Sequence, residues 1–239
     1  MSTIFKLFIA LIICTSAQAH PFKMTAGTWL VADETGKIIQ GERTSVSHSI
    51  ASITKLMTVM VVLDAGQDLN ERLGAYTRSE LIQLALVKSD NRAAETLCEY
   101  FVGGRGPCVH AMNSKARSLN MQETHYVEPT GLSVFNTSTA EDLVKLVIAA
   151  SKYNEVVAAA KTPQVKIKLR KKWVFFNNTN PIIGRRYDFV VSKTGFINAA
   201  GGCIALMVDT DVGRKIVIVL GSKNTHTRIP EAEFIIKNY

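Results

Sequence analysis

Three short clusters in this chain have the residue types for one acyl-transfer reaction: Ser52-Ile53-Thr54-Lys55, Ser89-Asp90-Asn91 and Lys193-Thr194-Gly195. A separation of three on a helix puts Ser52 and Lys55 on one face, close enough to exchange a proton. A serine hydroxyl becomes a nucleophile when a neighbouring base removes that proton. Lysine can be the base only if its pKa, ordinarily about 10.4, is lowered by burial or by a second cation. Each cluster also has an ordinary explanation. Ser-x-x-Lys is expected about once by chance in a chain of this length, and the serine could simply cap a helix. Ser89-Asp90-Asn91 could cap the helix that begins near Arg92, and Ser-x-Asn recurs at Ser118–Asn120 and Ser222–Asn224. Lys193-Thr194-Gly195 could be a plain turn. Read chemically, Lys193 offers a positive charge and Thr194 a hydroxyl, a pair suited to a terminal carboxylate, while Gly195 lets a substrate backbone come close.

The surrounding pattern gives each cluster a place. Ile53, Leu56, Met57, Met60 and Leu63 recur at helical spacing, so Ser52 opens a buried helix. Further helices are expected over Ser79–Val87, Arg92–Phe101, Val109–Leu119 and Thr139–Ala150, the last capped by Ser138 or Thr139. That places Ser89-Asp90-Asn91 in a bend between two apolar helices, with its side chains near a cleft. Gly27–Asp33 and Ile38-Ile39 read as a hairpin. Beyond residue 160 the chain turns to strands, ending in Cys203–Val208 and Lys215–Leu220 and then a short helix, Pro230–Asn238. Lys193 falls on or beside a strand at the edge of the cleft. Strands at both ends around a helical middle predict an α+β fold, with one antiparallel sheet assembled from both termini and packed on a mainly helical subdomain.

Residues 1–19 have a different character. Lys6 is their only charge, Leu7–Ile13 is almost wholly apolar, and Ala17-Gln18-Ala19 supplies small residues two apart. This is the layout of a secretory signal peptide cleaved after Ala19, which leaves 20–239 as one catalytic domain. Removal lowers the formal net charge of +8 by one. A basic balance suits an anionic partner, although Lys168–Lys172, the one concentrated run, also reads as a solvated loop. Nothing in it suggests nucleic acid. Cys98 and Cys108 could close a short loop in an oxidising compartment or stay apart, and Cys203 reads as a core thiol. The histidines are dispersed without metal-ligand spacing. Trp29 and Trp173 read as core or groove-lining residues, and there is no Gly-x-Ser-x-Gly elbow.

The order of the three clusters, behind an export signal, is the set found in class A β-lactamases and penicillin-binding proteins. From about Gly27 to Thr227 the chain resembles the D-alanyl-D-alanine peptidases among the low-molecular-mass penicillin-binding proteins. The flanks that carry the resemblance are Ala51–Thr58, Ser89–Ala94, Glu128-Pro129-Thr130-Gly131-Leu132-Ser133 and Lys193–Phe196, and they look most like the compact D,D-endopeptidase type. The resemblance implies that Ser52 is the nucleophile and Lys55 its base, and that Ser89 relays a proton to the leaving amine. It further implies that Asn91 orients substrate and Lys55, and that Lys193 and Thr194 anchor a carboxylate beside Gly195. The backbone N–H groups of Ser52 and Phe196 would hold the oxyanion. Peptidoglycan stem peptides would be the substrates, β-lactam antibiotics the covalent inhibitors, and no metal or organic cofactor is called for. Two rival expectations remain. A β-lactamase needs a further carboxylate, usually in Glu-x-x-Leu-Asn, which the stretch from Glu128 to Leu132 lacks. A catalytically idle β-lactam-sensing or wall-binding protein would keep the scaffold alone.

Overall fold

Strand alternation in the last third of the chain organises the molecule, whose computed structural model describes residues 22–239. The expected export segment, with its expected cleavage after Ala19, lies outside the described residues. The elements run β1 (Thr28–Asp33), β2 (Ile38–Glu42), β3 (His48–Ser49), a 3₁₀ turn (Ala51–Ile53), α1 (Thr54–Asp64), β4 (Arg72–Leu73) and β5 (Tyr76–Thr77). They continue with α2 (Arg78–Gln83), a π turn (Leu84–Lys88), α3 (Asn91–Glu99), α4 (Arg105–Ser118), β6 (Thr137–Ser138), α5 (Ala140–Ala150) and α6 (Asn154–Lys161). The hairpin β7 (Gln164–Leu169) and β8 (Lys172–Asn177), the long strands β9 (Asp188–Ile197), β10 (Gly201–Thr210) and β11 (Gly213–Ser222), and α7 (Arg228–Asn238) complete it.

The main sheet has the order β2-β1-β11-β10-β9, with every neighbouring pair antiparallel. Both faces are covered, so its strands read as nearly continuous apolar runs. Leu30, Ala32, Ala205, Met207, Ile216 and Ile218 face the helical side, in one core with Leu56 and Met60 of α1 and Leu143 and Val147 of α5. Val31, Leu206, Val208, Val217 and Val219 face the other way, against Ile229, Ala232, Ile235 and Ile236 of α7. The α+β arrangement expected from the sequence is thus the one observed. Helix α1 is buried from Thr54 to Val62 on every side, as befits a helix with apolar residues all round. Burial of a central helix fixes whatever stands at its N-terminus.

Some boundaries differ from expectation. α4 begins at Arg105, not Val109, because Pro107 lies in the first turn, where its missing N–H costs no helical hydrogen bond. α6 was not expected at all. Thr139, of the two candidate caps, accepts from the backbone N–H of Asp142. Trp29 is buried and packs on Tyr239 with ring centroids 5.3 Å apart. Trp173 is a correction: it is 53% exposed on the outer face of β8.

Cys98 and Cys108 are bonded, with Cα atoms 5.4 Å apart, tying the end of α3 to the first turn of α4. Cys203 is a free, buried thiol. A bridge closing ten residues of separation restricts the unfolded chain by about 3 kcal/mol in the loop-entropy account. Urea unfolding of a Cys98→Ala/Cys108→Ala variant should therefore show a loss of that order. A loss below about 1 kcal/mol would mean that the bridge constrains little.

Candidate active site

Ser52 stands in the 3₁₀ turn that opens α1, and the backbone around it is tightly held. Ala51, immediately before it, has φ of 45°, an unfavourable left-handed conformation for alanine. Two glycines make room for that turn. A Cβ on Gly195 of β9 would lie 2.9 Å from the Ser52 nitrogen, and one on Gly131 would run into the Ala51 carbonyl and come within 2.8 Å of the same nitrogen. The strand β9 and the loop through Gly131 therefore both close on the backbone of the serine, and only glycine permits either approach.

Lys55, three residues after Ser52 and second in α1, is completely buried. Its Nζ is 2.9 Å from Ser52 Oγ and donates to Asn91 Oδ1 at 2.7 Å and to the carbonyl oxygen of Thr130. A neutral amine has two N–H donors and one lone pair, whereas an ammonium has three donors and none. Asn91 and Thr130 offer only acceptors, so they absorb both N–H groups of a neutral Lys55. Its lone pair is left for the Ser52 hydroxyl. Burial pushes the Lys55 pKa down from 10.5 to about 8, against the opposing pull of the Glu128 and Asp90 carboxylates.

Ser89 ends the π turn in a left-handed conformation, φ 60°. That bend swings its Oγ to accept from Lys193 Nζ at 2.7 Å. Asp90 caps α3 by accepting from Ala93 N–H at 2.9 Å, so Asn91 is the first helical residue. The expected bend is present, with both outer residues of the cluster directed at lysines. Lys193 sits in mid-β9, 1% exposed, and also donates to the Thr194 carbonyl at 2.8 Å. Burial, then the charges of Lys55 and Arg228, hold its pKa well below the ordinary lysine value. Thr194 Oγ1 bonds Thr179 Oγ1 at 2.6 Å, and Phe196 is exposed at the end of the strand. The structure thus brings Ser52, Lys55 and Asn91 into one hydrogen-bonded group, joins Ser89 to Lys193, and seats Gly195 against the Ser52 backbone, while Thr194 and Phe196 follow on β9.

The profile of the D-alanyl-D-alanine carboxypeptidase family matches residues 14–73 and 68–224. The chain belongs to that family. A D-alanyl-D-alanine endopeptidase of Pseudomonas aeruginosa is 34% identical, over 95% of this chain and 84% of its own length. One of Escherichia coli is 35% identical, over 88% and 76%. Among solved structures, a penicillin-binding protein of Listeria monocytogenes in its ampicillin-bound form superposes with a TM-score of 0.82. It is 26% identical, and the match covers 92% of this chain and 98% of that one. As a member of the D-alanyl-D-alanine carboxypeptidase family the chain is a serine D,D-peptidase, the class expected from its sequence.

The structure adds residues to which the sequence assigned no role. Thr130 supplies the carbonyl that holds Lys55, and Glu128 shapes the loop that presents it. Glu128 Oε1 accepts from the backbone N–H groups of Gly131 (2.7 Å) and Ser133 (3.3 Å) and from Asn136 Nδ2 (2.9 Å). Its Oε2 accepts from the N–H and hydroxyl of Thr130, both at 2.6 Å. Such a saturated carboxylate has no oxygen free to activate water. This residue, the nearest counterpart of a β-lactamase carboxylate, is a loop clamp. Asn136, fully buried, ties the loop to α1 by donating to Thr54 Oγ1 at 3.1 Å. Arg228, at the start of α7, donates to the Gly195 carbonyl at 2.6 Å and adds positive potential beside Lys193. The flank Glu128–Ser133 was a signal for the first two. Arg228, 35 positions past Lys193 in the chain, left none.

Proposed function

We propose that this D,D-peptidase cleaves D-alanyl cross-links between peptidoglycan stem peptides, acting in the periplasm as a single catalytic domain over residues 20–239. The observation that carries the mechanism is the set of partners around Lys55 Nζ: when the amine is neutral, Asn91 and Thr130 take its two N–H groups and its lone pair faces Ser52. Ser52 Oγ attacks the D-alanyl carbonyl carbon and its proton passes to Lys55. The oxyanion is received by the N–H groups of Ser52 and Phe196. The C–N bond then breaks as the leaving amine takes the proton held on Lys55 by way of the Ser89 hydroxyl, which Lys193 orients, and Lys55 is neutral again. Water attacks the ester and gives its proton to Lys55, which returns it to Ser52 Oγ as the acyl C–O bond breaks and the acid departs.

Lys193 sets the charge of the site. In the open cleft burial and neighbouring cations disfavour its ammonium, and a carboxylate arriving on the leaving side favours it again. Positive charge on Lys193 then keeps Lys55 neutral. Thr194 exchanges its bond with Thr179 for the carboxylate, and Asn91 keeps Oδ1 on Lys55 while its amide N–H group is offered to the substrate backbone. A β-lactam acylates Ser52 by the same attack. Because Glu128 is fully engaged, the resulting ester persists. Export fits the sequence of residues 1–19, and no helix among the described residues is long and apolar enough to cross a membrane. The net positive charge supports peripheral association with the anionic wall polymer.

The test is incubation of the mature protein with cross-linked stem-peptide dimers and with monomeric pentapeptides, with and without penicillin. Penicillin-sensitive cleavage of the dimers is expected, and it should vanish in Ser52→Ala. Trimming of pentapeptides alone would reduce the protein to a carboxypeptidase. Sustained fast turnover of a cephalosporin would point to a β-lactamase, and cleavage surviving in Ser52→Ala would remove the serine mechanism.

A further inference from the structure

The hairpin of β7 and β8 presents two unlike faces. In its register Lys166 pairs with Phe175, Lys168 with Trp173, and Gln164 with Asn177. Side chains alternate across a strand, so these six share one face. The opposite face carries Val165 and Ile167, both buried, with Val174 and Phe176 partly so. The outer face is a flat platform with one row of lysines and one of aromatic rings. Trp173 is 53% and Phe175 54% exposed, about 7 Å apart along the strand. Lys166 Nζ lies 4.4 Å from the Trp173 ring centroid and 5.6 Å from that of Phe175. Arg170, Lys171 and Lys172 extend the positive charge around the turn.

This hairpin is joined to the catalytic cleft. Lys88, next to Ser89, lies 4.9 Å from the Phe176 ring on the inner face. Just past β8, Thr179 donates its N–H to the Val87 carbonyl at 3.1 Å and bonds Thr194. The hairpin is thus anchored beside the cleft residues Ser89 and Thr194, and its platform is fixed relative to them.

We propose that this face docks the glycan strand of peptidoglycan, with Trp173 and Phe175 stacking on sugar rings and Lys166 and Lys168 pairing with carboxylates along the polymer. The assignment rests on the cell-wall reading above. Exposed rings with a polar rim suit a wet, amphipathic ligand, and the cations match an anionic chain. Bilayer insertion is disfavoured, because burying Trp173 in hydrocarbon would carry the Lys166 ammonium with it. Single-stranded nucleic acid has comparable chemistry and is separated by experiment.

The experiment is co-sedimentation of the mature protein with purified insoluble peptidoglycan, alongside Ser52 acylation by a fluorescent penicillin. Trp173→Ala/Phe175→Ala should weaken sedimentation about tenfold. Lys166→Gln/Lys168→Gln should weaken it at low salt and little at high salt. Both variants should keep the wild-type melting temperature and acylation rate. Neutral N-acetylglucosamine oligomers, which carry no carboxylate, should retain the aromatic dependence and lose the lysine dependence. Undiminished sedimentation of the aromatic variant would overturn the proposal. So would capture by phosphatidylglycerol vesicles or oligo-dT with the same dependence on Trp173 and tighter than by peptidoglycan. Failure of the cell-wall peptidase reading would appear separately, as a wild-type protein that penicillin does not acylate.

Discussion

Replacing Lys55 by arginine is expected to lower kcat/KM for D-alanyl cleavage by about three orders of magnitude or more. The substitution keeps a positive side chain of similar reach, so a purely electrostatic role would survive it. A guanidinium does not lose its proton near neutrality and has no lone pair to offer Ser52. The same logic fixes the pH dependence of the wild-type protein. Lys55 acts when neutral, and its pKa is lowered to about 8. Acylation by a penicillin should therefore rise with pH through about 8 and level off above, the sign expected of a base that must be deprotonated. Stopped-flow acylation from pH 6 to 10 would measure this limb. An arginine variant retaining more than about a tenth of wild-type activity would exclude Lys55 as the base.

Gly131→Ala should be among the most damaging single substitutions in the chain. Two effects combine at this position. Its φ of +83° is one that alanine adopts only with strain, and the added Cβ would meet the backbone of Ala51 and Ser52, which cannot rotate away. Together they should cost about 3 kcal/mol or more, or roughly 6–12 °C in melting temperature. Acylation should fall further, because relief of the clash moves either the oxyanion N–H of Ser52 or the Thr130 carbonyl on Lys55. Gly74→Ala is the control. It has a similar φ, +72°, with nothing within 4 Å of the new atom, and should cost only about 1 kcal/mol. Equal effects at the two positions would mean that φ, and not the close approach, governs Gly131.

The candidate site groups were legible because each is a distinctive residue type at a fixed offset from an apolar periodic run. Ser52, Lys55, Ser89, Asn91 and Lys193 all lie within a few residues of such a run. The helix α6 was not legible, since eight residues rich in Val and Ala show too little periodicity, and its position depends on packing against β9. Trp173 was misread for a related reason. Residues 173–176 are all apolar, so alternation could not assign an inside, and only pairing with the lysines of β7 reveals which face is wet. The roles of Glu128 and Asn136 depend on a web of bonds to backbone N–H groups, which no side-chain spacing encodes. Arg228 reaches the Gly195 carbonyl on the edge strand β9 from α7, a helix packed on the other face of the sheet.

The sheet joins the ends of the chain, since Thr28 pairs with Leu220 and Asp33 with Lys215. This has a consequence for when the protein can act. Strand β1 is synthesised first but finds no lasting neighbour in the main sheet beyond β2 until β11 exists, and a two-stranded hairpin is marginal alone. The sheet side of the core beneath α1 is equally incomplete until then. Such non-local pairing folds slowly and late. Ser52 and Lys193 are brought together by strands whose pairing waits on the last fifth of the sequence. A partly made chain would therefore have the proposed nucleophile without its site, and peptidase activity would switch on only once β11 is in place.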